Sequence, residues 1–494
     1  MLRQNRFTFQ FLLLFVVILV SRIPFLFAGY GVEEDSWGMI NALRRVHDSG
    51  VFEISRFPGH PVLEFSYLAV WGCSYFVFNF LTALVSTIGF IFFAASLKLL
   101  GFRKFFWATL ALAFTPIVYI KCTDTMDFMW GLSFMMVSLY FILRSRVPKE
   151  NEIARLNFFT AGAALGLAIG ARFTAALFFV PLLILFFDLT KKETLIQLLV
   201  FFFSMLVFAV VCFIPAIKHF DSAVYSVPYM FGRPEILKSL FKASIGVFGL
   251  IGCLFLFVIL IKAFFYKIQN RNRVNKKYFI KAHPKLQTSK FLSFAFISLI
   301  IYVLLFIWQP HKSAYLIAAL PFLIMLIEFY SNERYTMMMA VGMILSSFLL
   351  GINLDDNFRG ASASPLSIKM KVASQKISID FLKGPVLADN SRRYQKMNFA
   401  NDVISKAASL NKPTVIIAGW WINEIEVLSA KIKNQNVNYF YFLNEEELKK
   451  YQQQNFSIFY LPQQEQVNDL RWQKNFTRNY AEPLYSDDGQ KFLF

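Results

Sequence analysis

Three consecutive carboxylates, Glu33-Glu34-Asp35, stand at the edge of a long apolar segment. About a helix length further on comes Ser55-Arg56-Phe57-Pro58-Gly59-His60-Pro61-Val62-Leu63-Glu64. Acids clustered beside an apolar run carry a desolvation cost that a plain connector avoids. A part-buried carboxylate holds its proton more tightly and can act as a general base toward a hydroxyl. The ordinary alternative is a solvated acidic turn opening the helix that begins near Ser36, because acids favour helix N-termini. The Arg, Pro, Gly and His residues that follow tip the balance toward chemistry.

Three further places carry the same kind of signal. In Lys121-Cys122-Thr123-Asp124-Thr125-Met126-Asp127, the last acid is followed at once by apolar residues and so tops a helix. It either stabilises that helix or serves a site, with Asp127 ahead of Asp124. Arg172, in Gly170-Ala171-Arg172-Phe173-Thr174, is a cation that needs an anionic partner, a protein carboxylate or a lipid phosphate; otherwise it snorkels at a helix end. The fourth place is Trp308-Gln309-Pro310-His311-Lys312-Ser313-Ala314-Tyr315. Taken alone it is a polar turn. Combined with Arg172, its Lys312 supplies a second cation for charge developing on a phosphate.

Composition says what must position these groups. The chain has 494 residues, 56% hydrophobic, with 60 Phe and only 16% charged; its mean hydropathy is +0.49. Soluble domains carry about 25% charged residues, so this chain belongs in a bilayer. A net charge of +19 raises nucleic acid as a partner, but the Lys and Arg residues flank apolar runs in the positive-inside manner instead. Spans of about 20 residues fall at 7–28, 75–98, 104–120, 126–144, 157–171, 173–188, 195–215, 243–265, 291–308, 314–330 and 335–352, giving roughly eleven transmembrane helices. The first is a retained helix, since it lacks a small-residue cleavage site. Cys73, Cys122, Cys212 and Cys253 lie in or beside apolar segments without metal-ligand spacing and read as core residues.

The basic loops set the orientation. Arg3/Arg6, Lys98 to Lys104, Arg144 to Arg155, Lys191-Lys192 and the run 262–290 share one side, the cytoplasmic one. Loops 29–74, 121–125, 216–242 and 309–313 then face outward, so all four chemical segments meet on one face. The N-terminus is expected inside and the tail outside. Residues 353–494 turn polar, with strand-like runs at 384–388, 414–418, 437–442 and 457–461 and helical spacing at 399–409 and 445–453. The expected fold is an α-helical polytopic membrane protein, domain 1–352, with a C-terminal extracytoplasmic α/β domain at 353–494. That domain carries no nucleotide-binding glycine loop.

These residues resemble the C-type glycosyltransferases, which include protein O-mannosyltransferases and lipid A aminoarabinose transferases. Glu34-Asp35 with Trp37 is similar to that family's first-loop acidic motif. Ser55–Glu64 resembles the Pro-rich element after it. Asp127 stands where a second loop acid is common, and Lys312 with Tyr315 where the late phosphate-side loop falls. The likeness covers roughly residues 10–350. The acids here read Glu-Glu-Asp instead of Asp-Glu, so the catalytic position lies between Asp35 and Glu34.

The resemblance implies transfer of a sugar from a polyprenyl-phosphate carrier to a hydroxyl or amine of a glycan, lipid or protein acceptor. The setting would be the outer face of the bacterial inner (plasma) membrane. It makes Asp35 the base with Glu34 as rival and Asp127 a second catalytic acid; Glu33 reads as a helix-end acid. Arg56, His60, Glu64, Asp124, Arg172, His311, Lys312 and Tyr315 become substrate-binding candidates, and Trp37 shapes a sugar site or is an interfacial belt residue. A divalent cation stays open as cofactor, though a monophosphate leaving group has little need of one and no metal-ligand cluster is visible. The competing classes are a transporter or flippase for lipid-linked saccharides and a non-catalytic scaffold. The first would favour internal repeats and midplane charges, and the second has no reason to gather acids and cations on one face.

Overall fold

Most of the apolar runs form helices long enough to cross a bilayer. The computed structural model describes residues 2–145, 151–186, 192–220, 236–269, 288–330, 333–353, 366–372, 375–430, 436–461 and 480–484. Among these, eight apolar helices reach spanning length: Thr8–Phe25, Tyr75–Leu99, Phe128–Ser145, Ala154–Ala171, Lys192–Lys218, Ile245–Lys262, Ser289–Trp308 and Ser313–Tyr330. The chain is a multi-pass membrane protein.

The expected eleven full spans are not reproduced. The run 104–120 breaks into Phe105–Ala113 and Pro116–Lys121. Pro116 has no N–H to continue the ladder and holds Thr115 in extended backbone. Phe173–Phe186 mixes 3-10 and α turns and is too short to span fully. Glu333–Phe348 has 16 residues and runs into a strand.

Helices Tyr75–Leu99, Phe128–Ser145, Asn151–Ala171 and Lys192–Phe220 pack side by side in that order. The seam between the last two depends on glycines four apart, Gly162, Gly166 and Gly170. A Cβ at Gly162 would strike Ser204 and the Phe201 carbonyl; at Gly166 it would lie 2.6 Å from the Met205 carbonyl oxygen. Small residues at this spacing let backbones approach where no hydrophobic effect drives association. The stripe ends two residues before Arg172, and a Cβ on Gly131 opposite would lie only 3.0 Å from the Arg172 Cβ. Packing of the seam therefore places a site residue.

The loop 29–74 folds into two helices, Glu34–Ser49 and Pro61–Leu68. Beyond the last span, β1 (Leu350–Asn353), β2 (Ser367–Val372) and β3 (Gln375–Phe381) form an antiparallel sheet in the order β1-β3-β2. A parallel sheet follows in the order β5-β4-β6-β7, from β4 (Thr414–Ile417), β5 (Val437–Phe440), β6 (Ser457–Tyr460) and β7 (Glu482–Pro483). Helix Glu445–Gln453 starts with a capping box between Asn444 and Glu447. The run at 384–388 is not a strand. Pro385 at the first helical position, with its fixed φ, opens helix Pro385–Ala408 instead. Tucked between the bundle and the parallel sheet, that helix packs on both Pro116–Lys121 and Ile422–Ser429.

Replacing Gly166 with Leu is expected to force the Asn151–Ala171 and Lys192–Phe220 helices apart, at a cost of about 1–3 kcal/mol. Thermal unfolding in detergent checks this; an unchanged midpoint would mean the seam does not need close backbone approach.

Candidate functional site

Eight charged side chains at one end of the bundle form a single chain of alternating sign. Asp124 meets Lys121 at 2.8 Å, and Lys121 meets Glu33 at 2.5 Å. Lys312 bridges Glu33 at 2.6 Å and Asp35 at 2.5 Å. Arg56 bridges Asp35 at 2.6 Å and Asp127. Arg172 closes the series on Asp127 at 2.5 Å. A charge beside an apolar wall persists only when paired and hydrogen-bonded. Here every inner member has an opposite charge on both sides. The ends are the buried part: the Asp127 side chain is 0% exposed, whereas Lys312 and Asp35 each keep 32%. An incoming ligand therefore meets the middle of the chain first.

Local structure aims each member. Gly59, at φ +102°, completes a tight turn in which its N–H donates to the Arg56 carbonyl at 2.7 Å. Glu64 clasps the turn from behind, accepting from the Ser55 N–H at 2.9 Å and hydroxyl at 2.7 Å. His60 accepts from the Arg56 Nε–H at 2.9 Å, so its Nδ1 carries the proton donated to the Ala171 carbonyl at 2.8 Å. The Arg172 guanidinium lies 4.0 Å from the Phe128 ring centroid and 5.3 Å from that of Tyr315. Below it a narrow apolar crevice runs between Leu132, Met135, Tyr302 and Ala318. Lys312 precedes the 3-10 turn Ser313–Ala319, and the His311 carbonyl beside it accepts from Lys242 at 2.5 Å.

Adjacent acids feel opposite fields. Burial alone would raise Glu33, but Lys121 and Lys312 outweigh it and hold the carboxyl well below its usual range. Asp35 is likewise lowered, since Arg56 and Lys312 overcome its burial. Glu34 goes the other way, to about 7, through burial and then repulsion from Glu424 and Asp35. Burial raises Asp124 to about 6 against the pull of Lys121. His60 is pushed down to about 4, chiefly by burial, and is neutral at physiological pH.

Several expectations change place. Glu64 and His60 are buried behind Arg56 and position it, so neither stands on the open side. Trp37 is also buried, donating to the Gly31 carbonyl at 2.9 Å, and pins the loop without facing an open site. Glu33 stands at the N-cap of helix Glu34–Ser49 but makes no side-chain cap; it links Lys121 to Lys312. Asp124 sits buried against Lys121, and Tyr315 packs at the Arg172 end. Lys121 escaped the sequence reading, although a cation on an expected outer loop is the signal that singled out Lys312. Arg393 escaped it too. From helix Pro385–Ala408 it donates to the Thr123 carbonyl at 2.5 Å, bracing the loop that holds Lys121, Asp124 and Asp127. Among the described residues, no group of three or more His, Cys, Asp or Glu side chains is placed to hold a metal ion.

Fold and site together define a polytopic helical membrane protein with a charged centre at one bundle end, roofed by a C-terminal α/β region. The same fold occurs in ArnT from Cupriavidus metallidurans, a lipid A aminoarabinose transferase of the C-type glycosyltransferases. Its structure bound to undecaprenyl phosphate aligns at a TM-score of 0.54 and 13% identity, covering 96% of this chain and 89% of that one. The apo structure aligns at 0.52 and 12% identity, covering 96% and 88%. No protein-family model and no curated protein matches the chain in sequence.

Asp127 is the member whose loss strands most charge, because Arg56 and Arg172 both depend on it. Asp127→Asn is expected to destabilise the fold by about 3–5 kcal/mol. A thermal midpoint within error of the parent would show that the buried end of the chain contributes nothing to stability.

Proposed function

We propose that the protein is a membrane glycosyltransferase that moves a sugar from a polyprenyl-phosphate carrier to an acceptor hydroxyl or amine. The reaction lies at the outer face of a bacterial inner membrane, with the N-terminus in the cytoplasm and residues 353–494 outside. Three observations support this: the ArnT fold, the neighbouring chain's bound undecaprenyl phosphate, and above all the exposed centre of the charge chain. Lys312 and Arg56 are cations held by carboxylates at an accessible position, where a phosphate can take them over.

The acceptor oxygen or nitrogen attacks the sugar's anomeric carbon as the carbon–oxygen bond to the phosphate breaks. The bonding pair leaves with the carrier phosphate, whose growing charge Lys312 and Arg56 balance. The acceptor's proton goes to Glu34. Asp35 suits that role less well, because two cations hold it below its usual range; Glu34 is raised to about 7 and half-exposed. Asp35 instead keeps Lys312 and Arg56 in register until the phosphate arrives. A lipid monophosphate leaving group needs no metal in this scheme.

Purified protein in lipid nanodiscs, given a radiolabelled polyprenyl-phosphate sugar and cell-envelope acceptors, tests the reading. Label should pass to the acceptor with release of carrier phosphate; movement of intact donor without bond cleavage would indicate a flippase. Glu34 must be unprotonated to accept, so the rate should rise with pH up to about 7 and then level off. Glu34→Gln should lower it by about 10²–10⁴-fold, and an active Glu34→Gln enzyme would remove Glu34 from this role.

A further inference from the structure

The C-terminal region does more than cover the site. Helix Ile422–Ser429 packs on helix Glu34–Ser49, and its Asn423 amide donates to Glu34 Oε1 at 3.1 Å. Asn41 donates to Asn423 at 3.2 Å and to Glu426, while Arg44 donates to the Glu426 carbonyl at 2.7 Å. With Arg393 on Thr123, these contacts attach the region to the bundle. One further pair lies at the same contact. Lys396 donates to the Val32 carbonyl at 2.9 Å and to Glu424 Oε1 at 3.0 Å. Glu424 is 0% exposed, and its Oε2 has no hydrogen-bond partner among the described residues.

A buried carboxylate with one oxygen unsatisfied is costly, and a well-packed apolar residue would dock as well or better. Glu424 also repels Glu34, which works against docking. That repulsion gives its position a use beyond pairing with Lys396. Two carboxylates that share a site cannot both ionise easily, so one raises the proton affinity of the other. The charged groups facing Glu34 come from three directions: Glu424 and Lys396 from the C-terminal region, Asp35 from its own helix, and Lys312 from the late loop.

We propose that Glu424, held by Lys396, is a positioning residue of the site that acts through Glu34 across this contact, so that the C-terminal region completes the proton-accepting group. This rests on the reading of Glu34 as proton acceptor. The C-terminal region is thereby tied to the chemistry itself, whatever it contributes to acceptor recognition.

Infrared difference titration of the full chain in nanodiscs, without substrate, tests the coupling separately from activity. The carboxyl band that titrates near neutral pH and vanishes in Glu34→Gln belongs to Glu34. Glu424→Gln should lower its midpoint by about one pH unit, the size of shift a neighbouring charge commonly produces. Lys396→Met should raise it, and the acid limb of the transfer rate should move with the infrared midpoint in both variants. Unmoved midpoints in folded Glu424→Gln and Lys396→Met proteins overturn the inference even where Glu34→Gln abolishes transfer. Persistence of transfer in Glu34→Gln, with the infrared shifts present, would instead remove the proton-acceptor reading beneath it.

Discussion

Everything at the loop end of this bundle is organised by one electrostatic constraint: charges beside an apolar wall must be paired on every side. Four acids and four cations from separate chain segments satisfy it by alternating from Asp124 to Arg172. Buried ends lock the series in place, and the accessible centre at Lys312 and Asp35 makes it open to exchange. In the proposed transfer the donor phosphodiester arrives with one negative charge, like the carboxylate it displaces, and gains a second as the bond to the sugar breaks, so Lys312 stays paired throughout. In that scheme the same pairing that holds these side chains in place also prepares them for an anionic ligand.

The rest of the fold serves this arrangement. The glycine seam along Asn151–Ala171 sets where Arg172 emerges, and the turn at Gly59 aims Arg56. His60 and Glu64 give up access to solvent in order to hold that turn. The C-terminal region braces two of the contributing segments, through Arg393 on the Thr123 loop and through Asn423 on Glu34. Catalysis in the proposed transfer is therefore a property of both parts of the chain.

The multi-pass helical architecture was largely legible in the sequence because hydropathy is a local signal. Asp127, Arg172 and Lys312 stood out for a related reason: a charge at an apolar boundary is conspicuous in one dimension. What could not be seen was pairing. Nothing in the spacing says that Lys121 reaches Glu33, or that Arg56 lies between Asp35 and Asp127. Lys396, Asn423 and Glu424 look like ordinary residues of a polar region, since their role arises only when helix Ile422–Ser429 meets Glu34–Ser49. Strand-like residues at 384–388 misled because Pro385 can open a helix as readily as flank a strand, and local pattern does not decide between them. The sheet β1-β3-β2 was missed because β1 follows directly on an apolar run that reads as a span, and the alternating apolar and polar residues of Ser367–Val372 and Gln375–Phe381 were passed over.

The claim that the alternating chain is a phosphate-exchange site is tested most directly by a cryo-electron microscopy structure of the full chain in nanodiscs with undecaprenyl phosphate. The expected result places the phosphate against Lys312 and Arg56, with Asp35 turned away from Lys312. A phosphate bound elsewhere, with Lys312 still held by Glu33 and Asp35, would contradict it.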